Sequence, residues 1–325
     1  LEGAFKYMIL SAVATVLILS SIAILLLAAT DTSLDAIRIA VSQSAQSKLV
    51  IVAVCAFICG LLIKGGLVPF HGWLPDAYGS APSAVSVLLA GIVTKAAGIY
   101  TLIRVVASVF GFTTTVQAAL MFIGALSIIV GALAALGQTD FKRMLAYSSI
   151  SQVGYIVLGF ATATPLGIAG AVFHIFNHSI FKSLLFVNAA AVESQTGTTD
   201  MDKMGGFASR MPFTGTTSII GMLSAGGVPP LAGFWSKIII IVALWQAGFY
   251  VYSAIAVVAG ILTLAYLLMM QRKIFFGKLA AGAEDLHETR TGIVVAAVVL
   301  AAIAVCAGLF FPFVFSNLIE PAKEM

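Results

Sequence analysis

Residues 69–104 read PFHGWLPDAYGSAPSAVSVLLAGIVTKAAGIYTLIR. The stretch opens as a loop punctuated by Pro69, Pro75 and Pro82, then enters an apolar run long enough to cross a bilayer, which takes about 20 residues. Inside that run stands Lys95, 13 residues past Pro82 and 9 before Arg104. A lysine at the bilayer centre costs about 2.5–3.5 kcal/mol on insertion scales, so its presence asks for a reason. Gly91, Gly98 and the upstream prolines predict a helix broken or loosened near the charge, as happens where backbone lines a polar cavity. The competing reading is a lysine that snorkels to an interface; its mid-span place argues against that.

The rest of the composition agrees with a membrane chain. Of 325 residues 61% are hydrophobic and only 9% charged, and the mean hydropathy is +1.09. Soluble domains carry about 25% charged residues. The net charge of +4 is no nucleic-acid signal, because the cations are scattered and several lie inside apolar runs. Cys55, Cys59 and Cys306 all sit in apolar segments and read as small core residues. No charged leader or cleavage site precedes Leu1, and the chain reads as if it begins partway through a longer protein.

Ten spans are expected, at 3–29, 48–68, 82–110, 116–137, 141–161, 166–192, 213–228, 230–248, 250–273 and 292–315. Residues 31–47 suit a loop or a short interfacial helix. Segments 193–212 and 277–291 lie outside the membrane, and no polar segment is long enough to bury a core of its own. Cations fall evenly on the two sides, so orientation stays open. An internal echo links Gly91-Ile-Val-Thr-Lys95 with Gly233-Phe-Trp-Ser-Lys237. Each follows prolines, Pro82 in one case and Pro229-Pro230 in the other, which points to a repeat-built transporter.

The ionisable residues inside these spans carry the functional reading. His174, His178 and Lys182 step by four, so they form one stripe, each about 6 Å from the next along the axis. Two imidazoles and an ammonium in line suit a proton wire. A zinc site on His-x-x-x-His would need a further ligand, and none lies nearby in sequence. Lys237, like Lys95, is a cation beside a proline-glycine break. Glu2 has two readings of equal weight: a local pair with Lys6 one turn on, or an ion pair with a lysine of another helix. Asp140 is placed to cap the helix that follows, with Lys142 and Arg143 at the interface.

The runs VPFHGWLPDAYGSAPSAVSVLLAGIVTK, GQTDFKRMLAYSSISQVGY, FHIFNHSIFKSLLF and GGVPPLAGFWSK, in that order, resemble the antiporter-like membrane subunits. That family spans respiratory complex I, multisubunit sodium/proton antiporters and membrane-bound hydrogenases. The resemblance implies an all-α, polytopic, inverted-repeat fold of fourteen core helices, two of them discontinuous. By motif order this chain matches helices 5 to 14 and lacks the first four. Residues 1–137 would be the remainder of the first repeat, 138–275 the second, and 276–325 a loop and final helix of one transmembrane domain. The resemblance further implies that Glu2 and Lys95 act as a pair, that His174, His178 and Lys182 form the central connection, and that Lys237 is the exit lysine. Many members carry a Lys or His midway along the next helix, but 116–137 has none, so water or Ser127 would bridge Lys95 toward His174.

The expected function is therefore translocation of protons, or sodium, along Glu2, Lys95, His174, His178, Lys182 and Lys237, in an energy-transducing membrane. The chain would hold no cofactor of its own, having neither a Gly-rich nucleotide loop nor a cysteine cluster. Its partners would be other membrane subunits, peripheral redox subunits with Fe–S or Ni–Fe centres, and the lipid bilayer, with no nucleic acid. A sodium/proton antiporter assembly without redox partners, a stand-alone carrier and a structural anchor are the alternatives.

Overall fold

The computed structural model describes residues 2–319. Its helices are α1 (Glu2–Ala28), α2 (Leu34–Gln43), α3 (Lys48–Gly65), α4 (Trp73–Ser80), α5 (Ser83–Phe110), α6 (Thr114–Leu136), α7 (Phe141–Ala161), α8 (Pro165–Thr196), α9 (Pro212–Gly226), α10 (Ala232–Gln246), α11 (Tyr250–Ile274) and α12 (Thr291–Leu309). Capping follows the sequence. The Ser33 hydroxyl accepts from Ala36 N–H at the start of α2 and the Asp140 carboxylate from Arg143 N–H at the start of α7, each satisfying a donor that a helix N-terminus leaves free.

Side-chain bonds and close approaches give each helix its direction. α8 runs antiparallel to α7, with Lys182 on Leu145 and the ring of His174 beside that of Tyr155. α11 is also antiparallel to α7, through Tyr266–Ser148 and Tyr155–Ala256. α9 meets α8 at Thr217–Asn188, and α10 meets it further along at Ser236–His174. The segments expected at 213–228 and 230–248 as two spans are thus successive halves of one crossing. In the same way α4 continues α3: Gly60 packs on Ala14 of α1, and Trp73 reaches Tyr7, nearer the start of α1. Among the described residues the chain crosses the bundle nine times, and two crossings are discontinuous. We call proximal the end holding Glu2, Ser80–Ser83, Phe141 and the 197–211 loop, and distal the opposite end.

Both breaks use one device. α3 ends with Gly66 at φ 69° and α9 with Gly227 at φ 79°, left-handed conformations that glycine adopts without a Cβ penalty. At the first, Gly66 N–H donates to Ile63 O and Leu67 N–H to Leu62 O; at the second, Gly227 N–H donates to Ser224 O and Val228 N–H to Leu223 O. Proline follows each time, at Pro69 and at Pro229–Pro230. The breaks run in opposite directions through the bundle.

α7 is the axis, buried over nearly its whole length. Gly131 of α6 abuts the Ser151 backbone with no room for a side chain, the close approach that helices use in lipid, where packing and hydrogen bonds drive association. α1 and α12 are outermost, with few buried residues. The cysteines were expected in the core. Cys55 and Cys306 are exposed instead, because apolar side chains on an outer helix face can turn toward lipid.

Candidate functional site

Lys95 is 2% exposed, Lys182 0% and Lys237 5%, and His174 and His178 are wholly buried. α5 is not interrupted at Lys95. It is widened there by π turns over Leu89–Val93 and Lys95–Tyr100, a distortion that often accompanies functional sites. The interruption itself lies in the preceding crossing, at 66–72. Gly98 packs directly on the Gly65 backbone, so the charged segment of α5 rests against that break. Lys95 donates to Ala90 O, Lys182 to Leu145 O at 3.0 Å, and Lys237 to Ala225 O at 2.7 Å. Each ammonium takes one backbone carbonyl, and among the described residues no carboxylate lies within ion-pair distance of any of the three.

The stripe on α8 joins them. The rings of His174 and His178 are parallel within 5° and 6.2 Å apart. His174 Nδ1 pairs with Ser236 Oγ at 2.9 Å, which ties the stripe to α10. His174 Nε2 and both nitrogens of His178 have no protein partner among the described residues. Gly91 of α5 lies on Ser183 of α8, which brings the Lys95 helix against the stripe.

Glu2 stands apart. Its carboxylate pairs with Lys6 at 2.6 Å, the local alternative, and the side chain is 78% exposed. Lys6 also binds Asp76 at 2.5 Å, and Arg143 binds the other oxygen of Asp76 at 2.6 Å. The structure does not bring Glu2 to Lys95: Glu2 stands exposed at the proximal end on Lys6, whereas Lys95 is buried 12 residues into α5 from Ser83. Ser127 has a structural task as well: its Oγ accepts from Val68 N–H and holds the first break.

Three residues escaped the reading of the sequence. Lys142, expected at the interface, is 2% exposed and pairs with Glu193 at 3.0 Å, with Ser83 donating to the same carboxylate. Asp76 organises the proximal ionic cluster; the signal for it was a lone acid directly after Pro75, in the first turn of α4. Tyr155 lies between His174, 5.8 Å from its ring, and the Lys237 ammonium, 4.9 Å above it. It ends the run 137–155, whose polar residues signal more than a helix start. Ser148, Ser149, Ser151 and Gln152 of that run are all buried along α7.

Comparisons with known proteins agree with this geometry. A family described as NADH:quinone oxidoreductase/Mrp antiporter, TM, matches residues 1–263. A Na(+)/H(+) antiporter subunit of Alkalihalophilus pseudofirmus is 32% identical, over 100% of this chain and 66% of its own length. NADH-quinone oxidoreductase subunit N of Desulforudis audaxviator is 34% identical, over 81% of this chain and 53% of its own. For Hydrogenase-4 component B of Escherichia coli the figures are 34%, 77% and 41%. The chain thus spans less than two thirds of these relatives. The Mrp complex of Dietzia sp. contains a chain that superposes over 99% of this one and 67% of its own length, with TM-score 0.90 and 24% identity, a likeness of fold. A chain of the membrane-bound sulfane sulfur reductase, an archaeal respiratory membrane complex, gives 0.88 and 29% over 95% of this chain and 52% of its own. Apolar crossings, two glycine-proline breaks and this family match make the protein a multi-pass membrane subunit, and the chain belongs to the NADH:quinone oxidoreductase/Mrp antiporter transmembrane family.

Proposed function

We propose that the chain translocates protons through Lys95, Lys182, His178, His174 and Lys237, as a subunit of a redox-driven membrane complex of the NADH:quinone oxidoreductase or hydrogenase type. The observation that carries this reading is a set of buried amines and imidazoles, with His174 and His178 ring to ring, Tyr155 between His174 and Lys237, and no carboxylate among the described residues paired with any of them. Amines and imidazoles take up and release protons, whereas a sodium ion wants several oxygen ligands and gains most from carboxylates, none of which pairs with these groups among the described residues. The unpartnered ring nitrogens suit bridging by water, which satisfies buried polar groups. Glu2 lies at the proximal mouth of the path, beside the ionic joint of Lys6, Asp76 and Arg143. The division into repeats 1–137 and 138–275, closed by 276–325, is supported by two like breaks that run in opposite directions. The electron-transfer chemistry would sit in peripheral partners with Fe–S or Ni–Fe centres, which must supply about 2.3 kcal/mol for each proton moved against 100 mV.

A second reading, a subunit of a sodium/proton antiporter assembly without redox partners, is supported by the relative that aligns with the whole chain. Purification of the native complex separates the two: redox subunits in stoichiometric amount support the first reading, and their absence overturns it. The path itself is tested in reconstituted vesicles. Lys95→Ala is expected to assemble normally and to lose proton uptake; an assembled variant that pumps at the parent rate removes Lys95 from the path.

A further inference from the structure

The second break is open sideways. A cleft of about 330 Å³ lies between α10 and α11, lined by the buried Lys237 and Tyr155 and by Gly227 and Gly260. Its outer rim is apolar and belongs to the bundle surface: Val257 is 44% exposed and Ile261 66%. Lys237 gives one N–H to Ala225 O and presents its charge to the Tyr155 ring. Its remaining donor capacity is without a protein partner among the described residues. Nine residues separate Lys237 from the distal end of α10 at Gln246, about 14 Å at 1.5 Å per residue, so Lys237 lies well below headgroup depth.

We propose that this cleft is a lipid-side binding site for a single-chain carboxylate amphiphile of the fatty-acid class. An apolar slot ending on an unpaired buried cation fits a hydrocarbon tail that carries one compact anionic head. A charge-assisted bond to a carboxylate is about twice as strong as a neutral one and supplies the counter-charge that the protein does not. Depth selects the chemistry. A phosphate stays ionised and in the headgroup region, whereas a carboxylic acid reaches this level uncharged. There it hands its proton to the Lys237 amine, giving a carboxylate–ammonium pair with the proton retained between the two. The site does not depend on the transport reading, because the slot and the unpaired cation exist whether or not Lys237 moves protons.

The test is photolabelling of the full chain in its native membrane complex with a diazirine-bearing palmitic acid, mapped by peptide mass spectrometry and read without driving transport. Labelling is expected on the rim segment around Val257 and Ile261, displaced by palmitate and not by methyl palmitate. Lys237→Met is expected to cut it by about tenfold or more, since a decade is a modest loss for a charge pair in an apolar site. Gly260→Leu keeps the charge and fills the cleft; a Cβ at residue 260 meets nothing nearer than the Tyr155 hydroxyl at 3.5 Å. It is expected to abolish labelling, and Lys95→Met to leave it unchanged. Equal displacement by the methyl ester, full labelling of an assembled Lys237→Met complex, or equal labelling by a diazirine phosphatidylcholine each overturns the proposal. Labelling that survives Lys95→Met while transport is lost supports a site that binds its ligand without a working path, although Lys237 belongs to both.

Discussion

The two breaks share a backbone and differ in what they carry. Four residues past Gly72 the first break presents Asp76, held by Lys6 and Arg143 near the proximal surface. Four residues past Gly233 the second presents Lys237, buried and given only a carbonyl and a ring face. A half-buried carboxylate held between two cations that reach water is an ionic joint whose charges are all compensated. A buried amine whose partners among the described residues are one carbonyl and one ring face has no counter-ion to fix its charge, and for that reason it is suited to exchange. One fold device therefore serves as an anchor at one level of the membrane and as a functional group at another.

The sharpest way to break this contrast is to remove each charge in turn. Lys237→Met, which keeps length and loses the titratable group, is expected to bring proton uptake by reconstituted vesicles to background. Lys237→Glu is expected to retain part of it, because a titratable group remains. Asp76→Asn is expected to leave uptake readily measurable. Parent-rate uptake by Lys237→Met, or background uptake by Asp76→Asn with a normal melting profile, ends the distinction.

The next effect is on stability and concerns Lys142, a buried lysine that does have a carboxylate partner. Removing one partner of a buried ion pair costs about 3–5 kcal/mol when the charge left behind cannot hydrate. Lys142 is 3% exposed in its side chain and Glu193 34%. Glu193→Gln strands the lysine and is expected to cost about 3 kcal/mol, whereas Lys142→Met leaves a carboxylate that water can reach and costs less. Thermal melts of the two purified variants in one detergent give the order, and a larger loss for Lys142→Met reverses the assignment of which partner is trapped.

A smaller effect separates the breaks themselves. Alanine in a left-handed position costs about 1–2 kcal/mol, and crowding adds to it. At Gly66 the new Cβ meets the Leu74 side chain, pinned between α3 and α4; at Gly227 it meets Lys237 Cδ at 3.1 Å, on a long chain that can shift. Gly66→Ala is therefore expected to destabilise by roughly 2 kcal/mol or more, above Gly227→Ala. Gly227→Ala should instead slow transport, since it displaces the ammonium.

What was legible in the sequence follows from which physics is local. Charge inside an apolar run is a local cost, so Lys95, His174, His178, Lys182 and Lys237 stand out from residue order alone. The two breaks were harder. The echo from Gly91 to Lys95 matched residue types, but the shared backbone device is the Gly-Gly and Pro run at 65–69 and 226–230, whose left-handed caps depend on five-residue hydrogen-bond loops. Span counting assumed that each apolar segment crosses alone; at 15 residues α9 and α10 are each about 22 Å long, too short for the ~30 Å hydrocarbon core. Lys142 and Tyr155 were missed because burial and ring contacts are tertiary facts: Glu193 is 51 residues from Lys142 and Ala256 is 101 from Tyr155.

Tyr155 gives the smallest and most discriminating test. Its hydroxyl donates to Ala256 O at 2.5 Å, while its ring face lies under Lys237. A hydroxyl whose hydrogen is engaged by a helix carbonyl cannot pass a proton between His174 and Lys237 without first breaking that bond, so the ring is the working part. Tyr155→Phe removes a hydrogen bond of about 1 kcal/mol and keeps the cation–π contact. It is expected to lower the melting temperature slightly and leave proton uptake near the parent rate. Tyr155→Leu removes a contact worth about 0.5–2 kcal/mol and frees the ammonium to move, and it is expected to slow uptake although its volume loss is modest. If Tyr155→Phe proves the slower of the two, the hydroxyl is a relay, and the path runs from His174 through Tyr155 to Lys237.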